Sequence, residues 1–253
     1  MDQQGARRSL METPAPDARL LMELARRPGP LSSLLIHPAG GGLAPYLGLA
    51  SRLARHGTVH GIRADGLLPG EEPDDSVPEM TRRYLGLVNR LAHRPELLVG
   101  WSLGGVIAWE LAARLAQDGP APAVVLIDSF TERETISDTV RAALPAAVER
   151  SVSHLGAGHD AARARTTALA HIKASAAHRT TARAGGPALL IACAGSRREQ
   201  QTDRWRRLAG RLTVRELECG HFEVFDPAHQ PDLLRHLDAF LARLTIAPQE
   251  NAR

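Results

Sequence analysis

Leu97-Leu98-Val99-Gly100-Trp101-Ser102-Leu103-Gly104-Gly105-Val106-Ile107-Ala108-Trp109-Glu110-Leu111-Ala112 is the stretch that decides the fold. Leu97 to Gly100 has the length and apolar character of a buried strand, and Leu103 to Ala116 has the spacing of an amphipathic helix. Between them, Gly100 to Gly104 spells G-x-S-x-G. Five residues match by chance in many chains; the strand–turn–helix setting is what makes this match specific. A sharp turn from strand into helix strains the serine backbone and lifts its hydroxyl above the sheet. Gly100 and Gly104 remove Cβ atoms that would collide across that turn, and Gly105 lets the helix approach closely. The helix N-terminus then favours negative charge developing beside Ser102. A serine N-cap after a glycine turn is the plainer alternative; the strand before it and the helix after it favour a nucleophile.

A serine hydroxyl needs a base. Of eleven histidines, His221 has the setting, in Leu217-Glu218-Cys219-Gly220-His221-Phe222 just after the last predicted strand. That loop falls at the carboxyl edge of the sheet, where the serine turn also opens, and Gly220 frees the backbone to aim the ring. His37 stands near the first loop, where lining the pocket is one reading and a structural role the plainer one, while His154, His159, His171 and His178 fall in a polar region and read as solvated. The third member should be a carboxylate that orients the imidazole. Asp128 closes the apolar run Val124–Ile127, where an unpartnered carboxylate would be costly. Asp203 is the rival, one strand later, inside the charged stretch Arg197 to Arg204. Asp128 is preferred. An oxyanion hole needs two backbone N–H groups. Leu103 should supply one. The other should come from Ala39 or Gly40 in His37-Pro38-Ala39-Gly40-Gly41-Gly42, unless that loop is simply a glycine-rich turn. It is not a P-loop, because no Gly-Lys-Ser/Thr follows.

Outward from the serine turn, strands and helices alternate. Leu34–Ile36 and Val59–Ile62 read as strands, Pro45–Arg55 and Val77–Leu91 as helices, and 64–77 as a loop. After Val124–Ile127 the rhythm breaks. Residues 130–183 hold no convincing strand, are rich in Ala, Arg and Thr, and read as a helical insertion. The alternation resumes with strand Ala188–Cys193, helix Asp203–Leu208, strand Leu212–Leu217 and helix Pro231–Leu244. This pattern predicts an α/β fold with a doubly wound, mostly parallel sheet. Residues 1–30 read as a flexible N-terminal segment with a short helical stretch near Ala18–Ala25, and 31–253 as one domain.

The chain has 253 residues, 43% of them apolar, enough for one buried core. No apolar run approaches the roughly 18–20 residues of a membrane helix, and Met1 to Ser9 has no signal-like apolar core. A cytoplasmic protein with no membrane partner is expected. The net charge is +3, carried almost wholly by scattered arginines, since Lys173 is the only lysine. Without a basic stripe or many aromatic residues, nucleic-acid binding is not expected. Cys193 and Cys219 form neither a disulfide framework nor a CxxC pair, so no zinc is expected. Cys193 reads as a core residue.

Ile36-His37-Pro38-Ala39-Gly40-Gly41, the extended run Gly100 to Ala112, Leu126-Ile127-Asp128 and Gly220-His221-Phe222 together resemble the thioesterase domains of nonribosomal peptide synthetases and polyketide synthases, members of the α/β-hydrolase superfamily. The similarity runs over roughly residues 33–245, and the helix with Ala108 and Glu110 is far more specific than the pentapeptide. The resemblance implies Ser102 as nucleophile, Asp128 as acid, His221 as base, and Ala39 and Leu103 as oxyanion donors. It also implies a lid at about 130–183, and an acyl or peptidyl chain delivered on the phosphopantetheine of a carrier protein, with no cofactor or metal of the enzyme's own. Release would follow by hydrolysis or by cyclisation. Asp128 resembles the acid position of chain-terminating domains, whereas a chain starting at Met1 with no carrier domain resembles a free-standing editing thioesterase. An esterase or an acyltransferase of the same fold, and a non-catalytic carrier-binding module, are the rival readings.

Overall fold

The computed structural model describes residues 19–132, 136–152, 158–194 and 197–246. Seven strands form one sheet: β1 (Leu21–Ala25), β2 (Leu31–Ile36), β3 (Gly57–Ile62), β4 (Leu97–Trp101), β5 (Ala123–Ile127), β6 (Ala184–Cys193) and β7 (Ala209–Leu217). Their order is β1-β3-β2-β4-β5-β6-β7, and every pairing is parallel except β1 with β3. The helices are α1 (Leu47–Leu53), α2 (Val77–Val88), α3 (Leu103–Leu115), α4 (Asp138–Val152), α5 (His159–Ala177), α6 (Arg198–Leu208) and α7 (Gln230–Ile246). This is the doubly wound, mostly parallel α/β architecture expected from the alternation.

The apolar runs have no polar alternation because both faces of the sheet are covered. In β5, Val124 and Leu126 pack on one face with α2, α3 and Trp205 of α6. Val125 and Ile127 pack on the other face with residues of α1 and α7. Trp109 of α3 and Trp205 meet edge to face at 5.1 Å, both fully buried. The Trp109 indole N–H donates to the carbonyl of Ala182 at 2.9 Å, fastening the entry to β6.

Several bounds shift by a few residues, β6 starting at Ala184 and β7 at Ala209 among them, and two elements differ more. The helix expected near Ala18–Ala25 is instead strand β1, on an edge, with Leu21 opposite Ile62. Leu, Met, Glu and Ala favour a helix in isolation, but pairing with the open edge of β3 outweighs that small preference. Helix α6 begins at Arg198, not Asp203. Its charged first turn conceals a buried side formed by Gln201, Thr202 and Trp205. Between β5 and β6 the described residues hold α4 and α5 and no strand, as expected for the insertion.

The serine turn is tight enough to require its glycines. A Cβ on Gly100 would lie 2.1 Å from the Gly104 carbonyl carbon, and one on Gly104 would lie 2.3 Å from the Ile36 oxygen. Those neighbours are backbone and cannot swing away. Gly104→Ala is therefore expected to cost about 3 kcal/mol or more in a urea titration. Gly86→Ala, in α2 with nothing within 4 Å of its Cβ, should add about 0.5–1 kcal/mol from helix preference alone.

Candidate active site

The site lies where strands end at the carboxyl edge of the sheet. Strand β4 ends at Trp101, and Ser102 turns the chain into α3 with φ 56° and ψ −122°. Few non-glycine residues adopt such a conformation, and strain of this kind concentrates at functional sites. The turn is held by a hydrogen bond from the Ser102 N–H to the Ile127 carbonyl at 2.9 Å. Asp128, next along from Ile127, also has positive φ, 39°, and its N–H donates to the Ile191 carbonyl at 2.8 Å. Both residues therefore hang from the ends of neighbouring strands with fixed orientation.

His221 joins them. Its Nδ1–H donates to Asp128 Oδ2 at 2.7 Å, and its Nε2 lies 3.1 Å from Ser102 Oγ. With Nδ1 donating to the carboxylate, Nε2 keeps its lone pair for the serine proton. Asp128 is fully buried and His221 is 5% exposed. Asp128 Oδ1 accepts from the Cys193 N–H at 3.1 Å and from Gln201 Nε2 at 3.2 Å. A buried carboxylate so provided with donors stays charged at lower cost. The His221 ring is enclosed by Trp101, Phe130 and Phe222, at centroid distances of 5.3, 5.7 and 4.7 Å.

Asp203 takes no part. It stands exposed on α6 and pairs with Arg206 at 3.4 Å. Gln201, two residues earlier, is the group on α6 that reaches the site. Its amide also donates to the Ser129 carbonyl at 2.9 Å, beside the Trp205 N–H at 2.8 Å.

Leu103 directly follows Ser102, and Ala39 lies three residues beyond β2, partly buried against the core. Leu103 opens α3, and the Ile36–His37 backbone presses on Gly104, where a Cβ would lie 2.7 Å from the His37 oxygen. The glycine-rich loop after β2 is thus against the helix start. Tyr46 braces this junction, a role no sequence pattern marked. Its hydroxyl donates to the Ile36 carbonyl and accepts from the Trp101 N–H, both at 2.8 Å. Burial pushes that phenol well above its ordinary pKa, so it stays a donor. Tyr46→Phe leaves two buried backbone groups short of a partner and is expected to cost about 1–3 kcal/mol in denaturant unfolding.

The histidines of the insertion differ from expectation. His171 of α5 is fully buried, not solvated. Its Nδ1–H donates to the Ala39 carbonyl at 2.9 Å, and its ring stacks on that of His37 at 5.0 Å. Burial, with His171 beside it, pushes the His37 pKa down to about 3, and burial lowers that of His171. His178 is half-buried and its Nε2 lies 3.1 Å from Glu110 Oε1 on α3. His159 is exposed, as expected, and His154 lies outside the described residues.

A cavity of about 620 Å³ opens beside His221, lined also by Val140 and Ala143 of α4, Ala194, Phe222 and Asp226. A larger cleft of about 930 Å³, with Ser32, Thr58, Arg94 and Pro122 in its wall, lies at the opposite, amino end of the strands. It contains none of the three site residues. Among the described residues no group of three His, Cys, Asp or Glu is placed to hold a metal ion, and no helix is long and apolar enough to cross a membrane.

The model of the thioesterase domain family matches residues 34–241, spanning the serine turn, Asp128 and His221. The chain belongs to the thioesterase domain family. This thioesterase domain is 40% identical over 86 residues to the nonribosomal peptide synthetase btyA of Aspergillus terreus, a match covering 34% of this chain and 9% of that protein. It is 34% identical over 109 residues to a probable thioesterase of Gibberella zeae, covering 43% of this chain and 26% of that one. The chain thus spans only a small part of these curated relatives. Among solved structures, the Vlm2 thioesterase domain with a bound dodecadepsipeptide has the same fold, with TM-score 0.70 and 23% identity over 88% of this chain and 98% of that one.

Proposed function

We propose that this thioesterase uses Ser102 to take an acyl or peptidyl chain from the phosphopantetheine thioester of a carrier protein, and then releases it. The carrying observation is the unbroken relay from Asp128 Oδ2 through His221 to Ser102 Oγ, at 2.7 and 3.1 Å. The nonribosomal peptide synthetase among its relatives supports a chain drawn from nonribosomal peptide assembly.

Ser102 Oγ attacks the thioester carbonyl as its proton passes to His221 Nε2. The Oγ–C bond forms, and the oxyanion is received by the Leu103 and Ala39 N–H groups. The tetrahedral species collapses, the C–S bond breaks, and His221 returns its proton to the departing thiolate. Water, or a hydroxyl or amine of the bound chain, then gives a proton to His221 as it attacks the acyl-enzyme carbonyl; the C–Oγ bond breaks, and His221 returns that proton to Ser102 Oγ. Asp128 keeps the imidazole in the Nδ1–H tautomer and stabilises its cation. Thiolates leave readily, so positioning and oxyanion binding carry most of the acceleration. Helices α4 and α5 act as the lid, with the cavity between α4 and His221 as the acyl channel.

The test is intact-mass analysis after incubation with carrier proteins loaded with a panel of acyl groups. Wild type should gain the acyl mass on Ser102 and release free acid or a ring. Efficient cleavage of p-nitrophenyl esters with no action on any loaded carrier would sink this reading in favour of an esterase. Acyl label arriving on a second carrier would indicate a transferase.

A further inference from the structure

Two histidines outside the triad grip the loop after β2. The Pro38 carbonyl accepts from His37 Nδ1–H and from the Gly41 N–H, both at 2.8 Å. The next carbonyl, that of Ala39, accepts from His171 Nδ1–H at 2.9 Å. A peptide unit is planar, with its N–H directed opposite its C=O. Holding the Pro38 carbonyl therefore aims the Ala39 N–H, and holding the Ala39 carbonyl aims the Gly40 N–H. These are the two amides that the sequence offers as the second oxyanion donor. A carbonyl that accepts a hydrogen bond also polarises its own peptide and strengthens the N–H on the far side.

The pair is built to act together. The rings stack at 5.0 Å and 24°. Tyr84 donates its hydroxyl to His37 Nε2 at 2.6 Å, which fixes the His37 proton on Nδ1. Both rings are fully buried, which keeps them neutral. His37 belongs to the end of β2, but His171 comes from α5, 132 positions beyond Ala39. One turn earlier on α5, Thr167 Oγ1 donates to the Gly66 carbonyl at 3.0 Å and ties the helix to a different loop.

We propose that His171 is a positioning residue for the oxyanion hole: carried on α5, it holds the Ala39–Gly40 peptide by its carbonyl and, stacked on His37, steadies the Pro38–Ala39 peptide whose N–H serves as the second donor, so that the hole is complete only when α5 is docked. This deepens the thioesterase reading and rests on it. The docked helix and the competent oxyanion loop become a single state, so the acyl channel and the oxyanion site assemble together.

The experiment measures turnover of hexanoyl-N-acetylcysteamine and binding of n-butylboronic acid, whose adduct on Ser102 places an oxygen where the oxyanion forms. His171→Leu should lower kcat about tenfold with KM within twofold, less than outright loss of a donor would cost. Boronate affinity should fall by a similar factor. His171→Asn, which keeps an N–H donor near the Nδ1 position, should recover most of both. Thr167→Val, which removes the hydrogen bond to Gly66 but keeps the buried side-chain volume that docks α5 and leaves the His171–Ala39 bond in place, should stay within twofold of wild type. Equal losses in His171→Leu and Thr167→Val would overturn the proposal, as would unchanged kcat and boronate affinity in His171→Leu. If the leucine variant does not fold, His171→Gln, with its amide displaced outward, should fall about tenfold below His171→Asn, and equal rates for those two would overturn it. A wild type that cleaves no thioester defeats the underlying reading, whereas an active wild type with the wrong variant pattern defeats this inference alone.

Discussion

Ser102→Ala should cut thioester turnover by about 10⁴–10⁶-fold, the range seen when a nucleophile acting as one unit with its base is removed. The substitution deletes one oxygen and changes nothing else in the turn. Gly100 and Gly104 still provide the close approach, and the N–H at position 102 still donates to Ile127. Alanine meets the same positive φ that serine does. Stability should therefore stay within about 0.5 kcal/mol of wild type. The discriminating readout is the covalent intermediate, because a contaminating esterase would mimic residual turnover. Wild type should carry the acyl mass on the peptide containing Ser102, and the alanine variant should carry none. An acyl adduct of undiminished amount in Ser102→Ala would remove Ser102 from the proposed mechanism.

The core of this site was readable because each triad member carries a local mark. Glycines flank Ser102 between an apolar strand and a helix. Asp128 ends a run of four apolar residues, and Gly220 precedes His221 after the last strand. These marks come from backbone geometry at the ends of parallel strands, which the chain must satisfy whatever its substrate. The supporting residues carry no such mark. Gln201 meets Asp128 from 73 positions away, and Tyr46 reaches Trp101 across 55. Such contacts depend on how helices pack on the sheet, and nothing next to Gln201 or Tyr46 in the chain announces them.

His171 is a case where a signal was present and was masked by composition. The insertion is rich in Ala, Arg and Thr, so it reads as solvated. Yet Ala161, Ala164, Ala168, His171 and Ala174 recur at helical spacing and form the buried stripe of α5. Small residues at that spacing mark a helix that lies close to its neighbour. A histidine in the stripe then needs an internal partner, which the Ala39 carbonyl provides. At β1 the difficulty was the reverse, since local preference pointed to a helix while the partner strand lay more than thirty residues ahead.

Asp128→Asn should lower kcat by about 10⁴-fold, because it puts the imidazole in the wrong tautomer. The surroundings leave the carboxamide no good orientation. One side of the Asp128 carboxylate faces the Cys193 N–H and the Gln201 amide, and the other faces His221 Nδ1–H. All three are donors, and asparagine has only one acceptor oxygen. With its oxygen toward Cys193 and Gln201, its NH₂ meets His221 Nδ1 and drives the imidazole proton to Nε2, where it blocks transfer from Ser102. With its oxygen toward His221, its NH₂ confronts two buried donors, at a cost of about 1–3 kcal/mol for the unsatisfied groups. The variant should therefore lose activity far more than stability. Asp203→Asn is the matched control. That residue is exposed, and its pair with Arg206 at 3.4 Å is of a kind worth at most about 1 kcal/mol. Its kcat should stay within twofold of wild type. A stopped-flow comparison of acylation in the two variants measures the separation directly, and equal rates would return the acid role to the later strand.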